Sequence, residues 1–191
     1  MRLKRVAKPF DNPDYIFELK HDGFRAIAYI ENGESGLVSR NLKQFNFVPL
    51  SNALAQLPVE NAILDGEVIC LDDQGVSRFN QLIGRRHEPI FYAFDLLWLN
   101  NEDLRRLPLI ERKKRLEKLV KKSECRELLY AHHIEKDGVA LFEAICAKDL
   151  EGIVAKRKNG IYRNNGKEWV KIKNPKYSQA EGRQNLLKGR G

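Results

Sequence analysis

The 191-residue chain is long enough for one full-sized domain with its own core, and hardly long enough for two. With 42% apolar and 31% charged residues it has a globular balance, which excludes a disordered or fibrous chain. Its 34 basic against 26 acidic side chains leave a formal charge of +8, an excess that favours polyanionic partners, either nucleic acid or nucleotide phosphates.

The opening MRLKRVAKPFDNPDY carries basic residues with no apolar run behind them, so no secretory signal is expected, and no segment approaches the length of a membrane span. YIFELK and FRAIAYI read as strands, and Asn32-Gly33 before GLVSR is a hairpin signal, because both residues tolerate positive φ. PLSNALAQL sets Leu50, Ala53, Leu54 and Leu57 on one helical face. AILDGEVICL is a long strand closed by the turn DDQG, SRFNQLIGRR a short helix, and IFYAFDLLWL a buried strand. PLIERKKRLEKLVKK begins with Pro108 in a helical first turn and carries Leu109, Leu116, Leu119 and Val120 as its apolar stripe; its many cations read as a solvated face. GVALFEAICAKDL is another amphipathic helix, and EGIVAKR and EWVKIK are the last two strands. Cys70, Cys125 and Cys146 have neither metal-site spacing nor a disulfide pattern, which suits a reducing cytosol. Without strict βαβ alternation, the pattern predicts an α+β fold of antiparallel β-sheets flanked by helices.

Strand parity gives the first functional clue. Glu18 and Lys20 share a face opposite Phe17 and Leu19; Asp65 and Glu67 share one opposite Leu64 and Val68; Lys171 and Lys173 share one opposite Val170 and Ile172. Glu151 opens a fourth charged strand. Surface ion pairs could account for any single strand, each pair contributing only about 0–1 kcal/mol. Four such strands with fixed letters call for another explanation.

Lys20-His21-Asp22-Gly23-Phe24-Arg25 fits K-x-D-G-x-R, and LVSRN, LDGEV, YAFDLLWLN, EGIVAK and WVKIK follow in order. This series resembles the motifs of the covalent nucleotidyltransferases, namely ATP-dependent DNA ligases, RNA ligases and mRNA capping enzymes. The wording YAFDLLWLN with DLRRLPLIERKKRL is most similar to bacterial ATP-dependent DNA ligases of the end-joining type. The resemblance implies an ATP-grasp-like adenylation domain that forms a lysyl-AMP intermediate, transfers AMP to a 5′-phosphate at a DNA nick and seals it.

On that resemblance Lys20 is the expected nucleophile. A free lysine is neutral in only about one molecule in a few thousand at pH 7, so attack needs nearby cations, expected from Arg25, Lys171 and Lys173. ATP is expected to meet Glu18, Lys20, Arg25, Arg40, Glu67, Phe94, Glu151, Lys171 and Lys173. Phe94 would stack on adenine, Glu18 would accept from its 6-amino group in preference to guanine, and Arg40 would lie on the ribose or the 5′-phosphate side of the nick. Glu67 and Glu151 are the expected Mg²⁺ (or Mn²⁺) ligands. Asp22 and Gly23 would shape the turn that aims Lys20. His21 occupies the free position and is assigned no chemistry, and His87, His132 and His133 are read as surface or loop residues.

The domain is expected to span residues 1–175, followed by a basic tail at 176–191 with no OB-fold barrel, as in short standalone ligase-like proteins. In that tail Lys176, Arg183, Lys188 and Arg190 would hold DNA phosphates, and deleting it after Pro175 would spare self-adenylylation. Nicked or broken duplex DNA, end-joining or repair proteins, a monomeric state and the bacterial cytosol complete the expectation. RNA-end ligation and a non-sealing DNA-binding module that needs a partner stand as alternatives.

Overall fold

The computed structural model describes residues 3–77, 79–84, 88–163 and 168–179. In chain order the elements begin β1 (Lys4–Arg5), β2 (Asn12–Leu19), β3 (Phe24–Glu31), β4 (Glu34–Ser39), α1 (Val48–Ala55), β5 (Asn61–Ile69), α2 (Phe79–Gly84) and β6 (Ile90–Leu99). They continue with β7 (Glu102–Asp103), α3 (Leu109–Ser123), β8 (Leu128–Tyr130), β9 (His133–Lys136), α4 (Gly138–Ala147), β10 (Gly152–Arg157) and β11 (Trp169–Lys173).

The strands form two sheets, ordered β1-β11-β10-β2-β9 and β4-β3-β5-β6-β7, with β8 also paired to β6. The architecture is α+β and mainly antiparallel; β1–β11 and β6–β8 are parallel pairs that the sequence pattern does not announce. Asn32 and Gly33 turn β3 into β4 with φ of 52° and 76°, both positive as the hairpin signal requires. No helix among the described residues is long and apolar enough to cross a membrane.

Each sheet buries one face under helices. In the first, Phe17, Ile153, Ala155, Val170 and Ile172 form an apolar layer with Ile145 of α4. Its other face sets Glu18, Val154 and Lys171 in one cross-strand row and Ile16, Lys156 and Trp169 in the next. In the second sheet Ala26, Ala28, Leu64, Val68, Ala93 and Leu96 pack with Leu50 and Leu54 of α1 and Leu116 and Leu119 of α3. Its other face carries the rows Arg25–Glu67–Tyr92, Ile27–Asp65–Asp95 and Tyr29–Ile63–Trp98. The two polar faces meet through Ile16, Trp169, Phe94, Tyr162 and Leu109, so the cleft lies between the sheets.

Three readings need correction. Pro108 caps α3 from outside, the helix starting at Leu109. More consequentially, Arg112 and Lys113 of α3 are fully buried, not solvated. Both lie within the stripe between Leu109 and Leu116, where helical periodicity turns them inward, and both have carboxylate partners there. His133 likewise belongs to β9, opposite Glu18, and is no loop residue.

Candidate active site

Lys20 follows directly on β2, where its N–H donates to the Gly152 carbonyl at 2.9 Å. Asp22 is buried, with the Tyr177 hydroxyl 3.4 Å away. Gly23 passes so close to β5 that a Cβ would sit 2.3 Å from the Val68 carbonyl oxygen, so only glycine fits this turn. The Lys20 Nζ donates to Glu151 Oε2 at 2.6 Å, while Lys173 Nζ lies 3.1 Å from the other oxygen of the same carboxylate. Lys171 comes up beside them; burial, then Lys173 and Lys20, push its ammonium below the usual lysine range. Lys20, Arg25, Arg40, Glu67 and Lys171 together line a cleft of about 420 Å³.

A smaller cavity of about 60 Å³ continues inward, lined by Lys20, His21, Glu67, Tyr92, Phe94, Val154, Lys156 and Trp169. Phe94 is half-buried and meets Trp169 edge to face at 5.7 Å. Lys156 Nζ lies 4.2 Å and the Arg25 guanidinium 5.5 Å from the Phe94 ring centre, so cations flank this ring.

Several expected residues are engaged differently from the sequence reading. Arg25 is fastened to Asp65 by two bonds, Nε–Oδ1 at 3.0 Å and Nη2–Oδ2 at 2.6 Å. Burial disfavours its charge, but Asp65 more than compensates and holds the guanidinium above its ordinary value. That charge is largely neutralised in place and contributes little to any cationic field at Lys20. Glu18 is only 3% exposed and offers no free carboxylate: Lys113 and Lys156 each take one oxygen at 2.5 Å. Burial pushes the Glu18 carboxyl up, yet the two lysines outweigh it and keep it below the usual range. Burial in turn lowers Lys156 to about 8 despite the pull of Glu18.

Glu151, 4% exposed, bridges two lysines, whereas Glu67 faces the open cleft. No group of three or more His, Cys, Asp or Glu side chains poised for a metal occurs among the described residues. A divalent ion here would therefore depend on Glu67, with Glu151 as the nearby carboxylate, and on ligands from outside the protein; that suits Mg²⁺, which usually keeps phosphate and water ligands. Arg40 stands exposed on the rim, with no carboxylate partner among the described residues. Lys176 is exposed and lies near Cys146 of α4, on the far side of the first sheet from Lys20, where it does not line the cleft. Arg183, Lys188 and Arg190 lie outside the described residues, as does His87.

The sequence reading passed over four contributors. His21 packs edge-on against Tyr92 at 4.1 Å, its Nδ1 3.0 Å from Ser77 Oγ, and burial followed by the Lys20 charge lowers it to about 4. Lys156 shares strand parity with Val154, a signal that was available in EGIVAK. Lys113 was legible as an inward helix position, but its partner Glu18 is 95 positions away and leaves no local trace. Tyr162 donates to Asp65 at 2.8 Å from an irregular segment with no periodic signal at all.

The family described as "ATP dependent DNA ligase domain" matches residues 2–173. The multifunctional non-homologous end joining protein LigD of Pseudomonas aeruginosa is 33% identical over 168 residues, covering 84% of this chain and 20% of its own length. The SPbeta prophage-derived DNA ligase-like protein LigB of Bacillus subtilis is 29% identical over 189 residues, covering 94% of this chain and 68% of its own. Among solved structures, mycobacterial DNA ligase D complexed with ATP superposes with a TM-score of 0.77 at 29% identity, over 90% of this chain and 59% of the other. The chain thus spans one fifth of the length of the Pseudomonas relative.

Proposed function

Because the chain belongs to the ATP-dependent DNA ligase domain family, we propose that it is an adenylyltransferase that charges Lys20 with AMP and passes the AMP to the 5′-phosphate of nicked or broken duplex DNA. The observation that carries this reading is the convergence of Lys20 and Lys173 on the two oxygens of Glu151, at 2.6 and 3.1 Å, with Lys171, Arg40 and Glu67 lining the cleft that Lys20 opens onto. Apart from Lys171 and Lys173, which share β11, these side chains come from distant parts of the sequence and have no local reason to assemble.

In the first step the Lys20 amine attacks the α-phosphorus of ATP. An N–P bond forms, the bond to pyrophosphate breaks, and the amine gives up its proton. Lys171 and Lys173 would balance charge growing on the phosphate oxygens. Phe94, with Val154 across the small cavity, suits the flat base, while Lys156 and Glu18 would stiffen its floor. When bound, Mg²⁺ would supply charge neutralisation on the phosphates, held by Glu67 and the nucleotide. The DNA 5′-phosphate then takes the AMP, with Arg40 on the rim as the residue placed to receive it, and the 3′-hydroxyl displaces AMP to close the strand.

A bacterial cytosolic, monomeric enzyme working beside end-joining proteins is the setting this reading implies. Incubation with ATP and Mg²⁺ should add one AMP to the intact mass, and Lys20→Ala should prevent it. Nicked DNA should be sealed in preference to nicked RNA. Wild-type protein that never gains AMP would overturn the assignment, and preference for RNA would overturn the substrate.

A further inference from the structure

The two sheets differ in how far they cover each other. Trp169 and Tyr162 close over Arg25, Asp65 and Phe94, but the row Tyr29–Ile63–Trp98, at the far end of the second sheet, is not part of that junction. It lies in a groove of about 650 Å³ that also takes in Leu42, Arg40 and Arg105. Three arginines line it: Arg25 at its inner end is paired with Asp65 and Arg105 with Asp103, while Arg40 has no carboxylate partner among the described residues. Arg25 and Arg40 also line the Lys20 cleft, so groove and cleft are continuous.

Three features are hard to explain by folding alone. Tyr29 is 45% exposed and Leu42 84%, both in the groove that Trp98 also lines. Leu42 also has φ of 59°, a left-handed conformation that a leucine adopts at a cost of about 1–2 kcal/mol. At that exposure it regains almost nothing by burial. The Trp98 ring, in contrast, is fixed: its Nε1–H donates to Asn61 Oδ1 at 2.8 Å, and Asn61 is itself held by Asn101. Rigid aromatic faces bordered by cations are how proteins hold unpaired bases, each stacked base contributing about 1–3 kcal/mol. A duplex keeps its base faces covered and could not use such a platform.

We infer that this groove binds a single-stranded DNA segment beside the nucleotide cleft, with bases on Tyr29, Trp98 and Leu42 and phosphates on Arg40 and Arg105. A frayed or overhanging strand end has this chemistry. Arg105 keeps its two bonds to Asp103, which orient the guanidinium and leave Nη1 for a phosphate. The inference rests on the proposal that the chain acts on DNA, and self-adenylylation tells the two failures apart.

The test is fluorescence anisotropy of a labelled single-stranded oligothymidylate with the full chain, beside a blunt duplex of equal length. Tyr29→Ala and Trp98→Leu should each weaken oligothymidylate binding about tenfold, equivalent to about 1.4 kcal/mol, and change duplex binding less than about twofold. Leu42→Gly should also weaken it, although relief of the positive φ should raise its melting temperature. This variant therefore guards against a loss that merely reports misfolding. Self-adenylylation should persist in all three. Wild-type affinity in the variants would overturn the inference. So would equal loss of duplex and single-strand binding, or concentration-dependent self-association that the variants abolish, which would make the face a contact between copies of the chain.

Discussion

Replacing Glu18 by glutamine would remove the carboxylate that pairs with two buried ammonium groups, those of Lys113 and Lys156. Glu18 is 3% exposed, Lys113 and Lys156 are no more exposed than that, and both contacts measure 2.5 Å. Loss of one member of a buried ionic set leaves its partners desolvated and uncompensated, which costs about 3–5 kcal/mol. In a chain of this size each kcal/mol moves the melting temperature by about 2–4 °C, so Glu18→Gln should melt on the order of 10 °C lower at pH 7. Folded Lys156 releases its proton near 8, and the unfolded chain near 10.5, so the unfolded state binds more protons in that window and stability rises with pH across it. Without Glu18 the folded proton leaves earlier, so the variant's recovery should begin below pH 8. Adding Lys113→Met removes one stranded charge and should restore part of the loss. Thermal melts by circular dichroism at pH 7 and 9 read all of this. A shift under about 2 °C, or a double variant less stable than Glu18→Gln, would refute the reasoning.

Three further outcomes follow from the same geometry. His21 titrates near 4 when folded against an ordinary 6.5, so the unfolded chain takes up the proton first and stability falls as pH drops from 6.5 towards 4, by up to about 3 kcal/mol; urea melts should show the wild-type advantage over His21→Asn shrinking between pH 7 and 5. Tyr177 is 8% exposed with its hydroxyl near Asp22, and Ser178 bonds Asp149, so truncation after Pro175 should lower both the melting temperature and self-adenylylation, whereas the sequence reading expects it to weaken nick binding and spare self-adenylylation; Tyr177→Phe should cost under about 1 kcal/mol. Gly152 has φ of 142° and a Cβ there would meet the Ile172 carbonyl oxygen at 2.1 Å, so Gly152→Ala should destabilise by several kcal/mol or fail to fold, whereas Gly75→Ala, with open space around it, should cost only about 1–2 kcal/mol.

What the sequence disclosed, it disclosed through parity and order. Lys171 and Lys173 alternate with Val170 and Ile172, and β11 buries the apolar pair as alternation requires. Glu18 and Lys20 shared a face by the same rule, but parity says which side of a sheet a carboxylate occupies, not what it meets there. Its partners sit on α3 and β10, and only the three-dimensional arrangement supplies them. For Arg112 and Lys113 helical phase, not charge, decides the side: three and four positions after Leu109 both turn inward. Strands β7, β8 and β9 have two to four residues, too few for a period, and β1 pairs with β11 from the opposite end of the chain. Such pairings are decided by tertiary packing and carry no local signature.

The buried ion pairs explain why two polar sheet faces can lie together at a fixed spacing. Apolar faces adapt by repacking, whereas charged faces are tolerated in the interior only with specific partners, which restricts the arrangements available. Arg112–Asp95 fastens α3 to β6, Lys113–Glu18 fastens α3 to β2, and Tyr162–Asp65–Arg25 ties the segment after β10 to β5 and β3. Set in the low-dielectric interior, these links add little net stability over an apolar core but strongly penalise displacement. The result is that Lys20 and Glu151, carried by the first sheet, face Glu67 and Phe94, carried by the second, without any contact between those residues having to position them. The Lys20–Glu151 contact is the exception, since an amine bound to a carboxylate must leave it before attacking phosphorus. Lys173, on the other oxygen, can keep Glu151 paired when Lys20 departs, so the departure strands no buried charge.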